Sequence, residues 1–170
     1  GNPVPGEPGF AYGKREGYPT VVTVPEEPFL ALAEAPTDLR DRSFLRVDLA
    51  GLETVGVSGR GEEEILLQRL GEGSWEVTGV DAGGERVRYS ADRVQVNRAL
   101  EALVRLRAEQ FVSDAPSDND LLDYGLADPL RTVTLVGATT EELLLGRFTG
   151  EGGRLFAKLA GEPFVYAVPA

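Results

Sequence analysis

The sequence contains no cysteine, no histidine and no methionine. Without cysteine the chain can form neither a disulfide nor a thiolate metal site. Without histidine it lacks the usual general base near neutral pH, the imidazole of a serine or cysteine triad, and the commonest zinc ligand. These absences remove the histidine- and cysteine-dependent hydrolases and the commonest zinc sites, and we expect no cofactor.

Positive charge is also scarce. The chain carries 17 lysines and arginines against 28 acidic residues, a net charge of −11. Only Lys14 and Lys158 are lysines. Because phosphate binding needs clustered basic residues, this balance argues against a nucleic-acid or anionic-membrane partner. No stretch approaches the roughly 20 apolar residues of a membrane-spanning helix, so we expect no direct membrane contact from these residues.

The sequence also contains an internal repeat. Two stretches match at a constant offset of 144 residues, and both carry short apolar runs between the matching positions. The repeat predicts that residues 1–25 are the closing hairpin of a preceding repeat, 26–38 a linker, and 39–170 a complete repeat that could also fold with 1–38 as a single domain. The matching residues are Gly6, Glu7, Gly9, Lys14, Gly17, Pro19, Val21, Val24 and Pro25 with Gly150, Glu151, Gly153, Lys158, Gly161, Pro163, Val165, Val168 and Pro169.

Short apolar stretches separated by glycine-containing turns predict antiparallel meanders. The fold class is therefore α+β, with about seven to nine short strands in antiparallel sheet. Residues 26–34 are expected to form a short helical linker, and Leu121–Tyr124 a helical turn. The predicted strands are 53–58, 62–70, 74–80, 85–89, 130–136, 141–147, 154–159 and 163–168, with 10–15 and 19–24 as the repeated hairpin.

One segment has helical rather than strand periodicity. Apolar residues from Val96 to Leu106 fall on one stripe, which predicts one long amphipathic helix over residues 91–109 packed on a face of the sheet. Ser90 or Asp92 would cap it. We expect Leu100 and Leu103 to be buried.

Several motifs occur in an order that resembles the bacterial domain of unknown function numbered 4340. The resemblance covers nearly all of residues 36–170. It implies tandem copies, often behind an N-terminal membrane anchor, in envelope proteins, some of them encoded beside ABC-type export or gliding-motility components. It implies no activity and no catalytic residue. The motifs are Leu39-Arg40-Asp41-Arg42, a helix rich in leucine and alanine, Asp123 to Pro129, a Thr-Val-Thr strand, Gly146-Arg147, a glycine-rich turn, and Pro163-Phe164-Val165-Tyr166.

The acidic loop 114–123 is the sharpest candidate ligand site. Asp114, Asp118, Asp120 and Asp123 could supply oxygens to calcium, but positions six and twelve from Asp114 are not the glycine and glutamate of an EF-hand. The alternative, which we favour, is that these aspartates cap a short helix and keep the loop soluble.

Other candidate sites have structural alternatives that we favour. Arg40 and Arg42 could clamp an anionic ligand, but we favour the alternative that Asp41 with one arginine ties the linker to the sheet. Tyr124 would anchor a turn in which Gly125 adopts a positive φ.

Two further sets of residues are assigned to structure. The run Glu62-Glu63-Glu64 is expected to blunt an exposed edge strand, since alternating side chains cannot converge on one substrate. Aromatic residues in or near the predicted strands are expected to be core or half-buried. They are Trp75, Tyr89, Phe111 and Tyr166.

Three functions remain open. The first is a non-catalytic structural or interaction module, one bead of an extracytoplasmic, membrane-anchored tandem-repeat protein associated with an envelope or ABC-type transport complex. The second is a calcium- or glycan-binding module using loop 114–123. The third is a carboxylate-based hydrolase, which ranks last because no catalytic constellation supports it.

The expected partner is another protein or a neighbouring repeat. Because an isolated two-stranded hairpin is marginally stable, residues 10–24 should either dock onto the complete repeat or form a dimer through a sheet edge of a second molecule. Deletion of residues 1–25 should then change the melting temperature or the oligomeric state.

Overall fold

The computed structural model describes residues 2–34, 39–81, 83–150 and 153–170. The chain divides into two compact units, Gly1–Asp41 and Arg42–Ala170. Residues 35–38 of the expected linker lie outside the described residues.

The first unit is a β-hairpin followed by a helix, as the sequence predicted. Strands β1 (Phe10–Lys14) and β2 (Val21–Pro25) pair antiparallel, and α1 spans Glu27–Glu34. Residues 2–4 lie against the outer edge of β1, where Tyr12 N donates to Asn2 O at 3.0 Å. The side of β2 away from β1 has no strand partner among the described residues.

The second unit is built on one nine-stranded antiparallel sheet. Its spatial order is β6-β5-β4-β3-β8-β9-β10-β11-β7. Two consecutive meanders, β3 to β6 and β8 to β11, meet where β3 pairs with β8. The strands are β3 (Thr54–Gly59), β4 (Ile65–Arg69), β5 (Trp75–Val80), β6 (Arg86–Ser90), β7 (Gln110–Ser113), β8 (Arg131–Val136), β9 (Thr140–Phe148), β10 (Arg154–Leu159) and β11 (Val165–Pro169), with helices α2 (Arg93–Val104) and α3 (Asp118–Asp123).

The fold class is therefore α+β, but the prediction of one long amphipathic helix is wrong. Helix α2 has 12 residues, and the other two helices have 8 and 6. Asp92 caps α2 by accepting from the N–H groups of Val94 and Gln95. The helix ends at Val104 because backbone N–H groups that would extend it donate to other segments. Ala108 N donates to Arg42 O at 2.8 Å and Glu109 N to Ala167 O at 2.9 Å.

The core lies on one face of the sheet, beneath α2 and the extended segment 42–52. From α2, Val96 and Leu100 are buried, whereas Leu103 is only partly buried. Phe44 from the extended segment stacks on Tyr166 with ring centroids 4.7 Å apart. Most of the core is contributed by the strands, including Trp75, Leu135, Leu143 and Val168.

The internal repeat is reproduced in three dimensions. Ala11 pairs with Val24 in β1–β2, and Leu155 pairs with Val168 in β10–β11, again 144 residues apart. The flanking hydrogen bonds recur too, from Glu26 N to Gly9 O at 2.8 Å and from Ala170 N to Gly153 O at 2.9 Å. Both copies therefore fold as the same hairpin in the same register.

Two sequence assignments miss the observed structure. Strand β7 was not predicted, since it has only four residues and lies between the predicted helix 91–109 and the acidic loop 114–123. Tyr89 is 58% exposed rather than half-buried, because β6 is the terminal strand of the sheet.

None of the described helices is long and apolar enough to cross a bilayer.

Candidate functional site

An open cleft of about 520 Å³ lies in the second unit, lined by residues of strands β8, β9 and β10 and of the turn after β3. Its floor is apolar, formed by leucines of β9, β10 and the approach to β8, and Phe148 beside them is 62% exposed. Two arginines and the carboxylate of Glu62 border it. The lining residues are Arg60, Glu62, Leu130, Arg131, Leu145, Gly146, Phe148 and Leu155.

Arg131 is positioned by a glycine across the sheet. Gly59 pairs directly with Arg131 between β3 and β8, and a Cβ on Gly59 would lie 1.7 Å from Arg131 Nη1. The guanidinium can lie over β3 only because residue 59 has no side chain. There it donates from Nη1 to Glu62 Oε2 at 2.5 Å, in the turn between β3 and β4.

Arg60 makes a second tether on the same side. Its Nη2 lies 2.7 Å from Asp128 Oδ2 and donates to Asp128 O at 2.6 Å. Both side chains are more than half exposed, so this pair contributes little to stability. It holds the guanidinium at the cleft mouth.

The cleft is suited to recognition of a partner group. A guanidinium has five N–H donors, and the exposed edges of Arg60 and Arg131 leave donors for an incoming carboxylate. The leucine floor and Phe148 offer contact to an apolar side chain. In a chain of net charge −11, this cleft places two arginines beside an apolar floor.

The structure distributes the acidic-loop residues along helix α3 and its approach. Asp118 and Asp120 lie in the first turn of α3, and Asp123 is its last residue. Ser117 and Asp120 form a reciprocal capping box, in which Ser117 N donates to Asp120 Oδ2 at 2.8 Å.

The capping bonds explain the electrostatics of this loop. The side-chain hydrogen bond from Ser117, and then its backbone N–H, lower the pKa of Asp120 below its ordinary value. In the described part of the chain, no group of three or more acidic side chains is arranged to hold a metal ion. Asp114 has interactions of its own. The calcium site stays a prediction without a geometric argument for it.

The motif Leu39-Arg40-Asp41-Arg42 lies at the boundary between the two units, with Arg40 and Asp41 ending the first and Arg42 beginning the second. Arg42 Nη1 donates to Glu109 O at 3.1 Å, and Arg42 O accepts from Ala108 N. Arg42 thus ties the start of the second unit to the approach to β7. Arg40 and Asp41 also have interaction partners.

Tyr124 and Gly125 form the turn that follows α3. Gly125 has φ 68°, as the sequence predicted. Tyr124 O accepts from Arg147 N at 2.8 Å, and the Tyr124 ring packs on Phe156 with centroids 4.5 Å apart. These contacts fix the turn against β9 and β10.

The assignment of Glu62-Glu63-Glu64 to an edge strand is wrong. These residues form the turn before β4, and β4 is an interior strand between β3 and β5. Glu62 instead holds Arg131. Sequence reasoning missed the cleft altogether, since no local motif connects Arg131 with Glu62; only the pairing of β3 with β8 brings them together.

Comparison with known proteins gives a family. Residues 1–90 and 84–170 each match the family model described as Domain of unknown function (DUF4340). No curated protein matches the chain, and no solved structure matches it.

Proposed function

Because this chain belongs to the DUF4340 family, we propose that it is a non-catalytic structural or interaction module of a tandem-repeat protein. The observation that carries the proposal is the repeated hairpin, present twice with the same register and the same flanking hydrogen bonds. Stacked repeats of one structural unit create extended surfaces that such proteins use for binding.

The cleft supports the interaction part of this proposal. Arg131 and Arg60 are held in place by Glu62 and Asp128, and exposed Phe148 lies beside an apolar floor. Aromatic and arginine side chains are the residue types that dominate protein interfaces. We infer that the cleft takes an apolar side chain with a neighbouring carboxylate from a partner protein.

The cellular setting is a finer part of the proposal. We place the module outside the cytoplasm, anchored through a membrane segment and associated with an envelope or ABC-type transport complex. The support is the resemblance of the motif order to that of envelope members of the family.

Fractionation and crosslinking of the native protein test this setting. The protein should sediment with the envelope fraction and crosslink to a membrane-complex subunit. Arg131→Glu should reduce that crosslink, whereas Arg88→Glu, an equal charge change on exposed β6, should not. Recovery of the protein in the cytosolic fraction would contradict the proposal.

Enzyme assays test the non-catalytic part. We expect no turnover above blank on a broad panel of hydrolase, transferase and redox substrates, because the described residues do not assemble a constellation for such chemistry. Turnover that is lost in Asp118→Asn or Asp120→Asn would establish the carboxylate-based alternative instead.

A further inference from the structure

Strand β2 has the residues of a buried strand but is not covered. In β11, residues Val165, Tyr166, Ala167 and Val168 are 0%, 5%, 1% and 1% exposed. Their equivalents in β2 are also apolar or β-branched, yet Val21 and Val22 are 56% and 50% exposed, Thr23 is exposed and Val24 is half-buried. The same hairpin is thus enclosed in one copy and open in the other.

The second unit shows what encloses the strand. The outer edge of β11 pairs antiparallel with β7, and the Phe111 ring packs edge-on against Tyr166 with centroids 5.8 Å apart. The outer edge of β2 carries no strand among the described residues. The outer edge of β1, by contrast, is occupied by residues 2–4, with Val4 N donating to Phe10 O at 2.9 Å.

The backbone of β2 presents the groups that a β7-like strand needs. In a strand, the N–H and C=O of successive residues point alternately to opposite neighbours. Ala167 O accepts from Glu109 N on the β7 side, so the equivalent Thr23 directs its N–H and C=O away from β1. An open edge of this kind, flanked by exposed valines, is a template for strand addition.

We propose that β2 is a docking edge for a strand of β7 sequence supplied by a second copy of this repeat. The strand adds antiparallel in the register of β11 with β7, which places Ser113 opposite Val21, Phe111 opposite Val22 and Gln110 opposite Thr23. This adds a second interaction surface, with a second copy of the repeat as its partner, to the interaction module proposed above and rests on that proposal.

A labelled peptide tests the edge in the full chain. The probe is a fluorescein-labelled peptide of residues 105–116, titrated with the intact protein by fluorescence anisotropy. Binding should saturate at one peptide per chain, and a scrambled peptide should not bind. Absence of saturable binding, or equal binding of the scrambled peptide, overturns the proposal.

A matched pair of variants locates the binding. Thr23→Pro removes the outward N–H, and proline is tolerated at a strand edge that faces solvent. Thr23→Val keeps the N–H and the β-branched shape. We expect affinity to fall at least tenfold in T23P and to stay within twofold in T23V. Unchanged affinity in T23P overturns the proposal, because the peptide would then bind elsewhere, for example by exchange with β7 of the second unit.

Disulfide trapping gives a second readout that does not depend on the proline variant. The chain has no cysteine, so Thr23→Cys introduces a single thiol. A peptide with cysteine in place of Gln110 should crosslink to it much faster than to Tyr18→Cys, which lies in the exposed hairpin turn. Equal rates overturn the proposed register. If the peptide does not bind or crosslink at β2, the results of the fractionation and enzyme assays for the non-catalytic module still stand. The two proposals can therefore fail separately.

Discussion

At the scale of single residues, the two lysines of the chain occupy equivalent positions of the repeat. Lys158 closes the turn after β10 by donating from Nζ to the carbonyl oxygens of Leu159, at 2.9 Å, and of Glu162. Burial lowers the pKa of its ammonium group, and the nearby Glu162 carboxylate opposes that shift.

Lys158→Met should destabilise the second unit even though burial disfavours the ammonium charge. The loss of charge-assisted bonds to carbonyl oxygens should exceed the relief from burying a charge, at a net cost of about 1–2 kcal/mol. Urea unfolding measures the change. Lys14→Met, at the exposed equivalent position, should change the same transition by less than about 0.5 kcal/mol. An unchanged or increased stability for Lys158→Met would show that desolvation dominates.

A second prediction at this scale concerns Asp120. Because Ser117 lowers the pKa of Asp120, the capping box stabilises the fold above the ordinary carboxyl pKa, and this contribution is lost as pH falls through the lowered pKa, below 3.8. Ser117→Ala should raise the pKa of Asp120 towards its ordinary value. Carboxyl-carbon NMR titration measures it, with Ser74→Ala as a control that should leave it unchanged. No upward shift in Ser117→Ala would disprove the assignment.

At the scale of elements, local pattern predicted most of the fold. Glycine turns identified both meanders, and the apolar stripe identified α2. The end of α2 and strand β7 could not be predicted, since both depend on distant hydrogen bonds from Ala108 to Arg42 and from Glu109 to Ala167. The cleft could not be predicted for the same reason, since Arg131 lies opposite Gly59 only because β3 pairs with β8.

Close packing between β9 and the turn that follows α3 gives a prediction for this scale. A Cβ on Gly146 would lie 2.2 Å from Tyr124 O and 3.2 Å from the Leu126 side chain. The backbone cannot move away without breaking the hydrogen bond from Arg147 N to Tyr124 O. Gly146→Ala should therefore lower the free energy of unfolding by about 1–3 kcal/mol or more. Gly79→Ala in β5, where a Cβ meets no atom within 4 Å, is the control and should be near neutral. Equal unfolding free energies for the two variants would contradict the packing argument.

At the scale of the whole molecule, the repeat and the folded units are different divisions of the chain. The repeat places two hairpins 144 residues apart, whereas the fold separates a small unit from a large one at Asp41. The sequence alone left open whether residues 1–38 fold with the rest as a single domain. Every residue of the buried core cluster lies between Phe44 and Val168, inside the second unit.

The sequence alone predicted that the hairpin either docks onto the complete repeat or forms a dimer, so that its deletion would change the melting temperature or the oligomeric state. The division into two units favours instead that removal of residues 1–41 leaves the second unit folded, with its melting temperature within about 2 °C of that in the full chain. For comparison, a change of about 1 kcal/mol moves the melting temperature by a few degrees. The cut keeps Arg42 and its bonds to Ala108 and Glu109. Scanning calorimetry measures the transition, and binding of the 105–116 peptide should disappear together with β2. A melting temperature lowered by 10 °C or more would show instead that the hairpin contributes to the core of the second unit, and that both units fold as one domain.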